Sequence, residues 1–184
     1  KHLCAVMASL RFSVHRDELY RITNLVRPVF EDSFKISVHL LRNTDGRLAI
    51  FHNSFREFVI DQLADDWLKE IQTNVSTFLK EIKHSPRWFG HMFKYCYEIG
   101  DYTYILVEVN ADFVDGALLF CRPGVEILDA LNWAIEAAYR LQDIVQLSRL
   151  SILKSRTVER LEHNLNRPLL AESLLAQGRE QDVM

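Results

Sequence analysis

A tight turn followed by a short strand and a helix start is the feature that most constrains this fold. Asp45 and Gly46 predict the turn, because glycine readily adopts the positive φ that such turns need. The strand is expected over Arg47–Phe51, and the apolar residues Phe55 and Phe58 then follow a helical period. We therefore expect a hairpin that leads directly into a helix.

His52 lies at the junction between that strand and that helix. We expect Asn53 or Ser54 to cap the free backbone N–H groups of the helix. An imidazole nitrogen at such a junction is well placed to contact an anion, since a helix N-terminus carries partial positive charge. The alternative is a histidine that is hydrogen-bonded within its own hairpin.

Three helices are predicted before the hairpin. The first spans Leu3–Phe12, the second starts at Ser13 or His15, and the third has Pro28 in its first turn, where the missing N–H costs nothing. Three helices followed by a hairpin form a winged-helix pattern. We expect this domain to occupy residues 1–66.

The rest of the chain, residues 67–184, predicts helices alone. Their expected ranges are Trp67–Ile82, capped by Asp65 or Asp66, then Arg87–Ile99, Asp143–Asn164 and a last helix that begins at Pro168. Tyr102–Val109 is rich in β-branched and aromatic residues, but we assign it to a helix because its surroundings are helical. The fold class expected from the sequence is thus mainly α.

An internal similarity supports a repeated helical unit. Tyr97–Asp101 aligns with Tyr139–Asp143 at a separation of about 42 residues, and each follows an apolar helix. A two-helix unit of roughly 40 residues is typical of HEAT-like or TPR-like arrays. The alternative is one irregular helical domain with a chance match.

Composition excludes several classes of protein. The net charge of −3 gives no overall attraction to nucleic acid or to an anionic membrane, and no run of 18 apolar residues is present. The three cysteines are far apart, which indicates a reducing compartment rather than a disulfide framework. Since the chain opens on Lys1 without an initiator Met, we expect a piece of a longer protein.

Motifs that carry chemistry are missing from the sequence. It has no G-x-x-x-x-G-K-[ST] loop and no acidic run after an apolar strand to hold Mg²⁺. His84, His91 and Cys96 match no common zinc spacing, and nothing local suggests that Cys121 is an activated thiol. We therefore expect no catalysis and no bound metal in this segment.

The order of three helices, Asp-Gly turn, strand and His-x-Ser-Phe-x-x-Phe resembles the winged-helix domain of STAND-type signalling NTPases, the NACHT and AP-ATPase groups. In that family the winged-helix His contacts the β-phosphate of bound ADP and holds the protein off, so the resemblance gives His52 this role. Plant members follow the His with Asp, whereas this chain has Asn53.

The resemblance also implies the setting of the segment. It would work in the cytoplasm beside an upstream nucleotide-binding domain of the same chain, which binds ADP or ATP. The helical array would recognise a protein ligand, and activation would lead to a homo-oligomer, in immune or antiviral defence. No cofactor is expected in the segment itself.

Two other functions remain open at the level of sequence. A winged helix also suits a DNA reader, with Arg27, Lys35 and Arg42 on or near the third helix and Arg47 on the wing. Glu31 and Asp32 lie in the middle of that helix and would repel phosphates, which makes nucleic acid an unfavoured partner. A helical protein-interaction scaffold is the other alternative.

Overall fold

The computed structural model describes residues 1–50, 52–120 and 122–176, with side chains as far as His163. These residues form a mainly helical protein with one two-stranded antiparallel sheet, so the predicted class is confirmed. The helices are α1 His2–Ser9, α2 Arg16–Thr23, α3 Arg27–Ser37, α4 Asn53–Asp61, α5 Asp65–Glu81, α6 Pro86–Ile99, α7 Tyr102–Glu108, α8 Ala111–Leu119, α9 Gly124–Arg140 and α10 Ile144–Ala176. The strands are β1 Leu41–Thr44 and β2 Arg47–Ile50.

The chain divides into two compact units, Lys1–Asp101 and Tyr102–Met184. In the first unit, α1 packs against α2, α3, α4 and α5, while α5 also packs against α2 and α6. In the second unit, α9 packs against α7 and α10. The functional boundary that the sequence suggests after residue 66 stays a prediction. Among the described residues, none of the helices combines the length and the apolar composition that a membrane span requires.

The core of the first unit forms around α1, which is apolar on every side. Leu3, Val6 and Met7 of this helix are almost completely buried, because neighbouring helices surround it. Leu19 and Ile22 give α2 one buried face. The start of α2 is a capping box, in which the Glu18 carboxylate accepts the His15 backbone N–H at 2.8 Å.

The predicted hairpin is present and is docked onto the helices. Asp45 and Gly46 have φ values of 51° and 77°, as a two-residue primed turn requires. The β1–β2 pairing places Leu41 opposite Ile50. Val14, between α1 and α2, exchanges two backbone hydrogen bonds with Leu48, at 3.0 and 2.7 Å. The predicted strand is confirmed as far as Ile50, and its last residue, Phe51, lies outside the described residues.

Both predicted helix caps in this region are wrong by one or two residues. His52 is the N-cap of α4, and Asn53 and Ser54 already belong to the helix. The chain leaves the strand with an extended backbone at His52, so the helix begins at once. At α5 the N-cap is Ala64, while Asp65 and its neighbour lie in the first turn, where their charge still favours the helix dipole.

Helix α6 carries much of the remaining core of the first unit. The Ser85 hydroxyl caps it by accepting the Trp88 backbone N–H at 3.2 Å, and a proline occupies the first turn. The Trp88 ring meets Phe89 and Phe93 edge-to-face, at centroid distances of 4.9 and 5.2 Å. This arrangement is favourable for aromatic rings, and all three side chains are buried.

In the second unit the ambiguous segment is helical, as predicted. Tyr102–Glu108 forms α7, with Ile105 buried, so the tertiary surroundings outweigh its β propensity. The long helix α10 continues to Ala176. The predicted start of a separate last helix at Pro168 is therefore wrong, since this residue lies inside α10, although an interior proline removes one backbone hydrogen bond.

The ends of α6 and α9 have the same local geometry. The N–H of Asp101 donates to Cys96 O at 2.8 Å, and the N–H of Asp143 donates to Ala138 O at 2.9 Å. The residues just before them, Gly100 and Gln142, both have positive φ, 83° and 55°. Each end is thus a Schellman motif, in which a left-handed residue closes the helix.

Candidate anion-binding site

His52 lies where the sequence analysis placed it, between β2 and the first turn of α4. Its backbone is extended and its side chain is exposed. The His52 side chain does not cap α4, so the first N–H groups of this helix lack that partner. The N–H groups of a first helical turn and the helix dipole both favour an anion at this end of α4.

A cavity of about 340 Å³ opens beside the first turn of α4. Its walls come from the end of α1, the segment that follows α1, strand β2 and helix α4; Arg11, Asn53 and Arg56 supply its amide and cationic groups. The volume is at the small end of ligand pockets, which measure about 300–1,000 Å³. The cavity therefore suits a small ligand or one end of a larger one.

The two arginines in this wall differ in how their charges are balanced. The Arg11 guanidinium donates to the Glu98 carboxylate at 2.8 Å, and the other Glu98 oxygen accepts from Gln72 at 2.9 Å. Arg56 donates through Nε to the carbonyl of Ala8 at 2.8 Å. Among the described residues no carboxylate forms an ion pair with Arg56. Arg56 therefore carries the positive charge of the cavity wall that no described carboxylate balances.

A buried tyrosine fixes the Arg11 side of the cavity. The Tyr95 hydroxyl donates to Ser9 O at 2.8 Å and accepts the Arg11 backbone N–H at 3.1 Å. Burial raises the pKa of Tyr95 far above its usual value, so the hydroxyl remains a donor at every physiological pH. The end of α1 and the start of the following segment are held rigidly by this contact.

The other titratable residues considered from the sequence take part in packing: His84, His91 and Cys96. His91 stacks on Phe12 with a centroid distance of 5.1 Å, and His84 contacts the Trp88 ring at 5.4 Å. Burial raises the pKa of the Cys96 thiol to about 12, which makes it a poor nucleophile. In the described part of the chain no group of three potential ligands could hold a metal ion. Cys121 lies outside the described residues.

The charges of α3 are paired with one another or with neighbours. Glu31 forms ion pairs with Arg16 and with Arg27, the latter at 3.5 Å, and Asp32 lies 3.7 Å from the Lys35 ammonium. A helix that reads DNA needs cations that are available for phosphates. The exposed face of α3 does not offer them in this arrangement.

Two of the large aromatic residues of the first unit lie in its core and do not offer an anchor for a ligand. Trp88 and Tyr95 are completely buried. The turn between α9 and α10 instead exposes apolar side chains that the sequence analysis did not identify: Tyr139, Leu141, Ile144 and Val145. They are a candidate contact surface in the second unit.

Sequence reasoning identified His52 but missed both arginines of the cavity. Arg56 follows His52 by one helical turn, so an i, i+4 relation could have identified it. Arg11 lies far away in sequence, and no local pattern indicates that it reaches α4. Comparison with protein-family models, with curated proteins and with solved structures finds no match.

Proposed function

We propose that this segment is the regulatory and sensor region of a STAND-type signalling NTPase, and that it holds the ADP-bound off state. The observation that carries the proposal is the position of His52 at the strand-to-helix junction, next to Asn53, which lines a cavity whose wall also includes the uncompensated Arg56. An imidazole and a guanidinium at a helix N-terminus form a suitable site for the β-phosphate of ADP.

The arrangement of residues 1–66 supports a winged helix. Helices α1, α2 and α3 precede the hairpin in sequence, and Val14 binds the β2 strand through Leu48. The hairpin is thereby fixed against the helical core and can act as the wing. At His52 the chain passes from this wing directly into α4, which is the order of elements that the resemblance implies.

The matching ends of α6 and α9 support a repeated unit in residues 67–184. The aligned residues Asp101 and Asp143 make equivalent backbone hydrogen bonds, and the residue before each is left-handed. A repeated two-helix unit would account for both the aligned sequences and their common ends. We propose that this HEAT-like or TPR-like array recognises a protein ligand.

The parent protein would supply the parts that this segment lacks. An upstream nucleotide-binding domain would provide the phosphate loop and the Mg²⁺ carboxylates, so that hydrolysis takes place there and not in this segment. Ligand binding to the array would release the His52 contact and shift the parent towards an open form that assembles into a homo-oligomer. We place this process in the cytoplasm and in defence signalling.

A helical interaction scaffold is the second candidate function. It is favoured by the exposed apolar residues at the turn between α9 and α10, where Ile144 and Val145 are 75% and 78% exposed. A scaffold would use this surface without any nucleotide. The paired charges on α3 give less support to a DNA reader.

Hydrogen exchange of the full-length parent tests the proposal. We expect ADP to slow amide exchange in residues 53–55, because the first N–H groups of α4 would then face the β-phosphate. A parent variant with its phosphate-loop lysine replaced by alanine is the matched control and should show no change on addition of ADP. Unchanged exchange at residues 53–55 in the ADP-bound parent would contradict the proposal.

A further inference from the structure

We propose that the cavity beside α4 is a phosphoanion site in its own right, with Arg56 as its principal cation, and that its ligand is the terminal phosphate of a nucleoside diphosphate. The inference deepens the proposed function and rests on it for the identity of the nucleotide. It assigns a role to a residue that neither the motif nor the resemblance singles out.

The charge of the cavity wall is positive. Arg11 and Arg56 line this cavity, and no aspartate or glutamate is among the described residues that line it. Three other cavities of the described chain also contain arginine, but each shares its wall with a carboxylate: Asp143, Asp45 and Glu81. The cavity beside α4 is therefore the one of these four that favours an anion.

The Arg56 guanidinium uses only part of its hydrogen-bonding capacity within the chain. A guanidinium has five N–H donors, of which the structure commits the one on Nε to the Ala8 carbonyl. That bond fixes the planar group at the end of α1, which leaves the donors on both terminal nitrogens for a ligand. A fixed guanidinium fork binds two oxygens of one phosphate, and this geometry is the reason why arginine is common in phosphate sites.

The size of the cavity suits a phosphate group. A cavity of about 340 Å³ is small for a whole nucleotide but accommodates its phosphate end. Arg11 would contribute a weaker attraction, because Glu98 already balances its charge. The side-chain amide nitrogen of Asn53 donates one of its two N–H groups to the Glu57 carboxylate at 3.0 Å. The second N–H can donate to a ligand.

Titration of the 184-residue chain with pyrophosphate, followed by ¹⁵N–¹H NMR, tests the site directly. We expect saturable shifts at the amides of Ile50, Asn53 and Arg56. The Arg56→Gln variant should bind about ten- to a hundredfold more weakly, as loss of a charge-assisted pair implies. The Arg156→Gln variant makes the same charge change at an exposed position of α10 and should bind like the wild type.

A second variant keeps the test valid if loss of the Ala8 contact unfolds the chain. Ala49 lines the cavity from β2 and is partly exposed, so Ala49→Glu introduces a carboxylate into the wall without removing a core contact. We expect it to abolish pyrophosphate binding and to leave the melting temperature nearly unchanged. Shifts that do not saturate, or wild-type affinity for pyrophosphate in the folded Arg56→Gln and Ala49→Glu variants, would overturn the proposal.

Two further ligands identify the source of the phosphate and separate this inference from the proposed function. The isolated chain should bind ADP and pyrophosphate with similar affinity, because the cavity would contact only their phosphate groups. A clear preference for inorganic phosphate over both ligands would overturn the nucleotide assignment.

In the full-length parent, Arg56→Gln should weaken ADP binding. If His52→Ala weakens it and Arg56→Gln does not, the inference fails and the switch stands. If the isolated chain binds pyrophosphate through Arg56 while His52→Ala leaves ADP binding in the parent unchanged, the switch fails and the cavity stands as an anion site.

Discussion

The Tyr95 hydroxyl ties the end of α1 to α6. It satisfies the Ser9 carbonyl and the Arg11 N–H, two backbone groups that lie where α1 has ended and that have no helical partner there. A buried backbone group without a hydrogen bond costs about 1–3 kcal/mol. The Tyr95 hydroxyl therefore contributes substantially to the stability of this region.

Replacement of Tyr95 by phenylalanine should lower the free energy of unfolding by about 1–3 kcal/mol, because the Ser9 carbonyl loses a buried hydrogen bond and the Arg11 N–H a part-buried one. Urea denaturation of the two proteins measures the difference. Tyr139→Phe is the matched control, since that side chain is 68% exposed, and should change stability by less than about 0.5 kcal/mol. Equal stability of all three proteins would show that the Tyr95 contacts do not contribute.

Glu18 is the residue with the clearest pH-dependent role. Burial by itself would raise its pKa, but the hydrogen bonds from Arg87 Nη1, at 2.7 Å, and from the His15 N–H outweigh this effect. The folded-state pKa of Glu18 therefore lies below its usual value of 4.5. A carboxyl with a lowered pKa stabilises the folded state above its unfolded pKa, and this contribution is lost as the pH falls through the folded value.

We expect wild-type protein to be more stable than Glu18→Gln at pH 7 and the difference to shrink below about pH 4.5, as the carboxyl of the wild type takes up a proton. Denaturant unfolding at several pH values measures it. Glu159→Gln, at an exposed position of α10, serves as the control and should follow the wild type throughout. A difference that stays constant down to pH 3 would contradict the role assigned to the Glu18 charge.

The residues of the candidate site were predictable only in part. His52 could be identified because its position follows from a local pattern, a turn, a strand and a helix start within a dozen residues. Arg56 was within reach of the same reasoning, since it lies one turn further along α4. Arg11 was not, because its approach depends on how α1 packs against α4.

The β1–β2 hairpin and the helices around it follow from local rules. Gly46 and Pro28 have backbone preferences that fix a turn and a helix start, and both lie where predicted. The helix caps were predicted less well, because a cap depends on where the preceding segment stops. At α4 the extended backbone of His52 comes directly from β2, so the side chains of Asn53 and Ser54 had no part in the cap.

The two Schellman ends give opposite predictions for the two aligned residues. Gly100→Ala should lower stability by about 1 kcal/mol, since an added methyl group meets no atom within 4 Å and only the left-handed backbone penalty remains. Gln142→Gly removes that penalty and should raise stability by about 0.5–1 kcal/mol. Thermal unfolding of both variants measures these changes. The same sign for both would contradict the shared geometry.

Which helices pack together, and which cavities they enclose, depends on the whole chain. The sequence predicts α5 and α6 as the start of an array, whereas in the structure both belong to the compact unit Lys1–Asp101, and α5 packs on α1 and α2. Periodicity shows which face of a helix is apolar but not which neighbour covers it. This is why the fold class was predictable and the cavity was not.

Removal of the second unit tests the sensor role. We expect a full-length parent without residues 102–184 to keep its ADP affinity and to lose its response to the trigger. The cut after Asp101 preserves the first unit, whereas a cut after residue 66 would expose the faces of α1 and α2 that α5 covers. A truncated parent that responds to the trigger like the intact protein would exclude the second unit as the sensor.

The ADP affinity of the His52→Ala variant of the full-length parent, measured together with its melting temperature, tests the switch most directly. Loss of a hydrogen bond to a charged phosphate costs roughly 1.5–3 kcal/mol, so we expect ADP to bind about ten- to a hundredfold more weakly, with activity in the absence of a trigger. The melting temperature without nucleotide should stay nearly unchanged, because the His52 side chain is exposed. Unaltered ADP affinity in a well-folded variant would contradict the assignment of His52 as the residue that holds the off state.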